Sequence, residues 1–180
     1  MAAAANKTVL MYELIGMVFI IFLGSALHFT FAFSGNQPIV GAFSAVNESV
    51  WEHLKLAFWP SLILTAIEYP LLRKAANNFF TAKTIGAYLM VAMIPLVFYS
   101  YTAFSGESIF AIDISSFVVA VIIGQLLSYK LLTYRQLPGT LNKIAVAAII
   151  LLALAFMVFT YYPPQLQIFK DSVTGKYGIP

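Results

Sequence analysis

Five stretches of the chain read as helices suited to lipid. Apolar runs recur at about 10–33, 48–72, 84–103, 108–134 and 141–162, separated by short segments rich in Gly, Pro, Asn and charged residues. Each is long enough, at roughly 1.5 Å of rise per residue, to cross a hydrocarbon core about 30 Å thick. The pattern predicts an all-α integral membrane bundle of five transmembrane helices over 1–162, followed by a polar tail over 163–180. Turn residues mark the joins: Gly35, Asn36, Pro38 and Gly41, then Ser105-Gly106-Glu107, then Pro138-Gly139, with Pro163-Pro164 stopping the last run. Ser49 and Glu52 have the spacing of a capping box at the start of the second helix, with Asn47 as an alternative cap. Pro60 and Pro70 fall inside that helix and Pro95 inside the third, where proline kinks the backbone. The stretch 75–83, with Phe79-Phe80, reads as a connection lying at the interface.

Composition narrows the class. Hydrophobic residues make up 61% of the chain and charged residues 9%, with a mean hydropathy of +0.88. A soluble domain of this length cannot hide that much apolar surface. The net charge of +3 comes with no basic run, which argues against a nucleic-acid partner. The absence of Cys excludes disulfides, thiolate metal sites and cysteine nucleophiles. The first apolar run is too long for the core of a cleaved signal peptide, so it reads as a retained span.

Five spans put the termini on opposite sides. Lys7, Arg73, Lys74, Lys83, Lys130, Arg135 and Lys143 fall on the amino-terminal side, and only Lys55, Lys170 and Lys176 on the other. Basic residues gather on the cytoplasmic face, which predicts a cytoplasmic amino terminus and an extracytoplasmic tail. Trp51, Tyr99, Tyr101, Tyr161 and Tyr162 gather at the outer boundary, as an aromatic belt does. An odd number of spans and the lack of a repeat argue against a transporter built from two inverted halves.

On this topology the remaining ionisable groups cluster near one level. His28 ends the first span, Glu48, Glu52 and His53 open the second, and Asp113, next to Glu107, opens the fourth. A charge at the centre of a span costs about 2.5–3.5 kcal/mol on insertion scales, so such groups are functional candidates. Imidazoles and carboxylates are ligand types for zinc, manganese or iron. His28, His53, Asp113 and Glu48 are therefore candidate ligands of a divalent metal, zinc or manganese, with Glu52 and Glu48 as candidate catalytic carboxylates. Each residue also has a plainer reading. Glu48 and Glu52 repel at i, i+4, yet first-turn acids complement the helix dipole, and Lys55 lies at i+3 from Glu52. His28 suits a core histidine bonded to a carbonyl, and Asp113 a helix cap. Neither H-E-x-x-H nor E-x-x-H occurs.

Glu13 and Glu68 form a second set near the other membrane edge and read as anchors paired with Lys7, Arg73 or Lys74. Between the two levels the second helix offers only Ser61 and Thr65, and the fourth only Gln125 and Ser128, so no chain of titratable groups crosses the midplane. In the tail, Ile168-Phe169 can fold back as a lid with a turn at Thr174-Gly175, and a disordered terminus is the alternative.

The segment GAFSAVNESVWEHLKLAFWP over 41–60 follows His28 and the Phe33-Ser34-Gly35 turn; with Glu68-Tyr69, Pro163-Pro164 and TGKYGI over 174–179, it resembles an uncharacterised family of small prokaryotic polytopic membrane proteins. The resemblance implies that His28, Glu48, Glu52, His53 and Glu68 match that family's polar pattern, and that the chain sits in a prokaryotic plasma membrane. It carries no activity, substrate or cofactor. Three classes follow: a divalent-metal-dependent membrane-embedded hydrolase acting on a lipid-like or small substrate; an accessory or assembly subunit of a larger complex; and a small ion or solute transporter. Membrane lipids are the expected surroundings, with a homo-oligomer or larger membrane complex as the expected partner.

Overall fold

Residues 2–179 are described by a computed structural model, with side chains from Asn6 onward. They form six α-helices: α1 (Ala2–Phe33), α2 (Pro38–Gly41), α3 (Val50–Leu72), α4 (Phe79–Ser105), α5 (Phe110–Leu132) and α6 (Gly139–Tyr161). A 3₁₀ turn at Gln167–Phe169 follows, and a single bridge pairs Lys170 with Tyr177. Four helices are long and apolar enough to cross a membrane, over Asn6–Phe33, Phe79–Ser105, Phe110–Leu132 and Gly139–Tyr161. The fifth long helix, α3, falls outside that group because Glu52, His53, Lys55 and Glu68 dilute its apolar content.

The missing hydropathy of α3 is explained by its place in the fold. α1, α3, α4 and α5 form a ring in which α1 packs on α3 and α5, and α4 packs on the same two from the other side; α6 lies outside against α4. Every residue of α3 from Leu54 to Ser61 is buried. Over that stretch the neighbours of α3 are therefore protein and its polar groups find partners there, while Ile63, Ile67 and Leu71 further along turn outward. The other long helices turn large apolar side chains outward, among them Phe22, Leu96, Phe104 and Leu151, as a lipid-facing surface requires.

Two helix boundaries show local chemistry at work. Ser49 caps α3, its Oγ accepting from the Glu52 amide at 3.4 Å, but the Glu52 carboxylate does not return to Ser49 to complete the expected capping box. α4 starts at Phe79, five residues before the expected Thr84. Asn78 turns the chain with φ of 53°, and its side chain donates to the carbonyls of Leu131 and Arg135 and accepts from the Leu137 amide. That clamp holds the α3–α4 connection against the end of α5. Phe79, expected at the interface, is instead buried with Val9, Leu72, Ala82 and Leu132.

Close helix contacts depend on glycine. Pro60 has no N–H for the Leu56 carbonyl one turn before it, and that carbonyl faces Gly24 of α1, where a Cβ would press into it. Gly86 and Gly124 bring α4 and α5 together in the same way, each with the other's carbonyl 2.9 Å from where its Cβ would lie. Small residues at crossings let backbones approach when packing, rather than water exclusion, drives association. Gly24→Ala is expected to destabilise the bundle by about 1–3 kcal/mol, the usual cost of overpacking, read as a lower thermal midpoint in detergent. Gly139→Ala, whose Cβ meets nothing within 4 Å, is the control and should not lower it.

Candidate functional site

The start of α3 carries two polar groupings that the structure separates. The helix begins at Val50, so Glu48 lies ahead of it and does not share a face with Glu52. The expected repulsion at i, i+4 does not arise, because the two carboxylates have different partners.

Glu52 belongs to the interior. Its Oε2 lies 2.5 Å from Lys55 Nζ and accepts the Val46 amide at 3.0 Å. Lys55 Nζ also donates to the Gly41 carbonyl at 2.7 Å and to Thr160 Oγ1 of α6 at 2.8 Å. Both residues are buried. The pair ties the loop after α2 and the end of α6 to the first turns of α3. The structure thus places Glu52, expected beside Glu48, in the interior and apart from the His28 side of the helix.

Glu48 belongs to a second grouping with His28 from the end of α1 and His53 from α3. His53 Nε2 lies 3.3 Å from Glu48 Oε2, and His28 Nε2 lies 3.8 Å from Glu48 Oε1. The two imidazoles lie 5.2 Å apart between centroids, tilted by 38°. One donor atom from each of the three residues lies within 4.8 Å of the others, so the group can hold a metal ion. His53 Nδ1 sits 2.8 Å from the Ser49 carbonyl. With its proton on Nδ1 donated to that carbonyl, Nε2 is left with a lone pair aimed at Glu48, the arrangement that orients metal-ligating histidines. His28 Nδ1 is buried without a partner, so His28 lacks that support. When Nε2 carries a proton instead, it donates to Glu48, and that hydrogen bond holds the Glu48 carboxyl below the usual carboxylate range.

The tail braces Glu48 from outside. Asp171 Oδ1 accepts the Glu48 amide at 3.2 Å, Ser172 Oγ donates to the Glu48 carbonyl at 3.0 Å, and Asn47 Nδ2 donates to the Gly178 carbonyl at 2.8 Å. Phe169 packs against Trp51 and Phe159. Asp171 also accepts from the Val173 and Thr174 amides and the Thr174 hydroxyl. Burial pushes its carboxyl up, but those hydrogen bonds prevail and hold it below the usual range. A depressed carboxyl stabilises the fold above its unfolded value of about 3.9 and stops doing so as pH falls through its folded value. The docked tail is therefore expected to hold at neutral pH and loosen only below about pH 4, seen as a change in Trp51 fluorescence. Asp171→Asn should show the loosened signal already at pH 7.

The other candidates lie elsewhere. Asp113 accepts from Tyr101 Oη at 2.5 Å and is outside the His28–Glu48–His53 group. Glu107 is exposed. Glu13 and Glu68 do not pair with Lys7, Arg73 or Lys74. Both meet Lys83 of α4, at 2.5 Å in the case of Glu13, in a buried cluster between α1, α3 and α4. Lys83, expected as an interfacial anchor, is thus an interior cation.

A family model matches residues 1–179. The chain belongs to DUF6512, a family of unknown function. No curated protein and no solved structure matches it. The DUF6512 assignment thus agrees with the resemblance to an uncharacterised family, and the chemistry has to be argued from the residues.

Proposed function

We propose that this DUF6512 chain is a membrane protein in which all five long helices cross the bilayer, α3 between α1 and α4, and that His28, Glu48 and His53 bind a divalent metal, zinc foremost, at the extracytoplasmic rim. The convergence of three donors within 4.8 Å carries the reading. Tetrahedral zinc with ligand bonds of about 2.0–2.1 Å sets its donors about 3.3 Å apart, the separation of His53 and Glu48. Two histidines and one glutamate are a ligand set of catalytic zinc, with the fourth position left to water. Glu48 is half exposed, so that position faces solvent. This favours hydrolysis of a lipid-like or small substrate at the outer surface of a prokaryotic plasma membrane. The orientation rests on charge: with Lys55 and Lys83 buried in ion pairs, Lys7, Arg73, Lys74, Lys130, Arg135 and Lys143 remain on one side against Lys170 and Lys176 on the other.

Zinc titration of the purified chain tests the reading. One equivalent should bind, and His53→Ala and Glu48→Gln should each weaken binding by more than the roughly 10–100-fold typical of an outer-shell partner, while Asp113→Asn leaves it unchanged. Zinc that fails to bind, or binds equally well to His53→Ala, would remove the metal site and the hydrolase with it.

A second reading is an accessory or assembly subunit of a larger membrane complex. It is favoured by the commitment of Glu52 to Lys55, which draws one of the two candidate catalytic carboxylates away from the rim and into an ion pair that ties helices together. Gentle solubilisation that always returns this chain with the same partner, or as a homo-oligomer, supports it; a monodisperse monomer that hydrolyses substrate rejects it.

A further inference from the structure

The cluster around Lys83 is unbalanced. Glu13 from α1, Glu68 from α3 and Lys83 from α4 put two carboxylates against one ammonium in the interior, each residue no more than 6% exposed. From α5 only neutral groups face them. A Cβ built on Gly16 would lie 2.5 Å from Gln125 Nε2 and 3.6 Å from Glu68 Oε1, which sets the Gln125 amide beside the glutamate. Ser128, fully buried, lies beside Glu13. Glu13 Oε2, Glu68 Oε1 and Gln125 Nε2 lack a hydrogen-bond partner. A single Nζ touches both carboxylates, so the two are neighbours, and the excess negative charge is shared between them.

We propose that Glu13, Glu68 and Lys83 form a buried site for one exchangeable proton. Two carboxylates sharing a site do not both stay ionised in a low dielectric; one proton taken up by the pair leaves one carboxylate, one acid and one ammonium, which is neutral. The added O–H gives one free oxygen a hydrogen to donate, and the Gln125 amide and Ser128 hydroxyl serve the oxygens left over. A metal cation suits the site less well, because the Lys83 ammonium already fills the place between the carboxylates where an ion would bridge. Lys83 also lines a cavity of about 380 Å³ between α3, α4 and α6, whose lining includes Ser61, Thr65, Tyr69 and Thr84 among apolar side chains, and exchange would proceed through it. The site is remote in the fold from the His28–Glu48–His53 rim and independent of any metal there.

Infrared spectroscopy of the full chain in lipid nanodiscs at pH 7 tests this. The wild type should show the carbonyl stretch of a protonated carboxylic acid, shifting on transfer to D₂O. Glu13→Gln and Glu68→Gln should each abolish it, since one carboxylate and one ammonium already balance, with zinc binding unchanged in both. A wild type without the band, a band that survives both variants, or one that never shifts in D₂O would overturn the proposal. So would sodium-dependent thermal stabilisation in the absence of the band, which would assign the site to a metal cation.

Discussion

Lys55→Met is expected to destabilise the bundle by about 3–5 kcal/mol, the cost of removing one member of a buried ion pair. Methionine keeps most of the volume of the lysine stem, so the loss is electrostatic rather than a packing void. Without Lys55 Nζ, Glu52 keeps only the Val46 amide and a longer contact from Thr160 at 3.4 Å, too little for a carboxylate this deeply buried. The Gly41 carbonyl and Thr160 hydroxyl lose their donor at the same time. The double variant Glu52→Gln, Lys55→Met should recover much of the loss, because removing both charges of a buried pair is often close to neutral. Denaturant unfolding in detergent compares the three proteins. If the double variant is no more stable than Lys55→Met alone, the ion pair is not what holds this corner together. Hydrogen exchange should rise over 41–46 and 156–161, the two segments the lysine joins to α3.

The second large effect is expected at Lys83→Met, again about 3–5 kcal/mol or more, since two carboxylates lose their one cation. Here the pH dependence identifies the cause. The penalty falls on ionised carboxylates, so acid relieves it: the deficit relative to wild type should be large at pH 8 and shrink towards pH 5 as the glutamates take up protons. This is opposite in sign to the acid loosening expected of the Asp171 tail. A deficit that stays constant between those pH values would mean that the damage is packing, not charge.

The helices were legible because their evidence is one-dimensional. An apolar run of about 20 residues needs no knowledge of its neighbours to be seen, and Pro-Gly or Ser-Gly pairs end it wherever they occur. The start of α4 was not legible, because the turn at Asn78 is held by carbonyls from residues 131 and 135, more than fifty positions away. Lys83 was misplaced for a related reason. A lysine shortly after a polar connection looks like an anchor, and only the rotation of α1 and α3 brings Glu13 and Glu68 to meet it.

In the rim, residue type was enough to pick out His28, Glu48 and His53, but not to show that these three converge while Asp113 bonds to Tyr101 and Glu52 to Lys55. Those distinctions depend on where α3 begins and which way each side chain leaves it. Asp171 was missed altogether. Its D-S-V-T-G run has the makings of an Asx turn, yet nothing local says that the turn would seat on the Glu48 backbone.

The placement of α3 between α1 and α4 bears on how such a chain is made. If α3 is a crossing, it leaves the ribosome while some of its polar partners are still unmade: Lys83, which meets Glu68, arrives with the next helix, and Thr160, which accepts from Lys55, near the end of the last. A segment with unmatched charges partitions poorly into lipid on its own. The nascent α3 therefore has to linger at the insertion machinery or in the headgroup region until its later neighbours appear, and the second long helix to be made settles among the last.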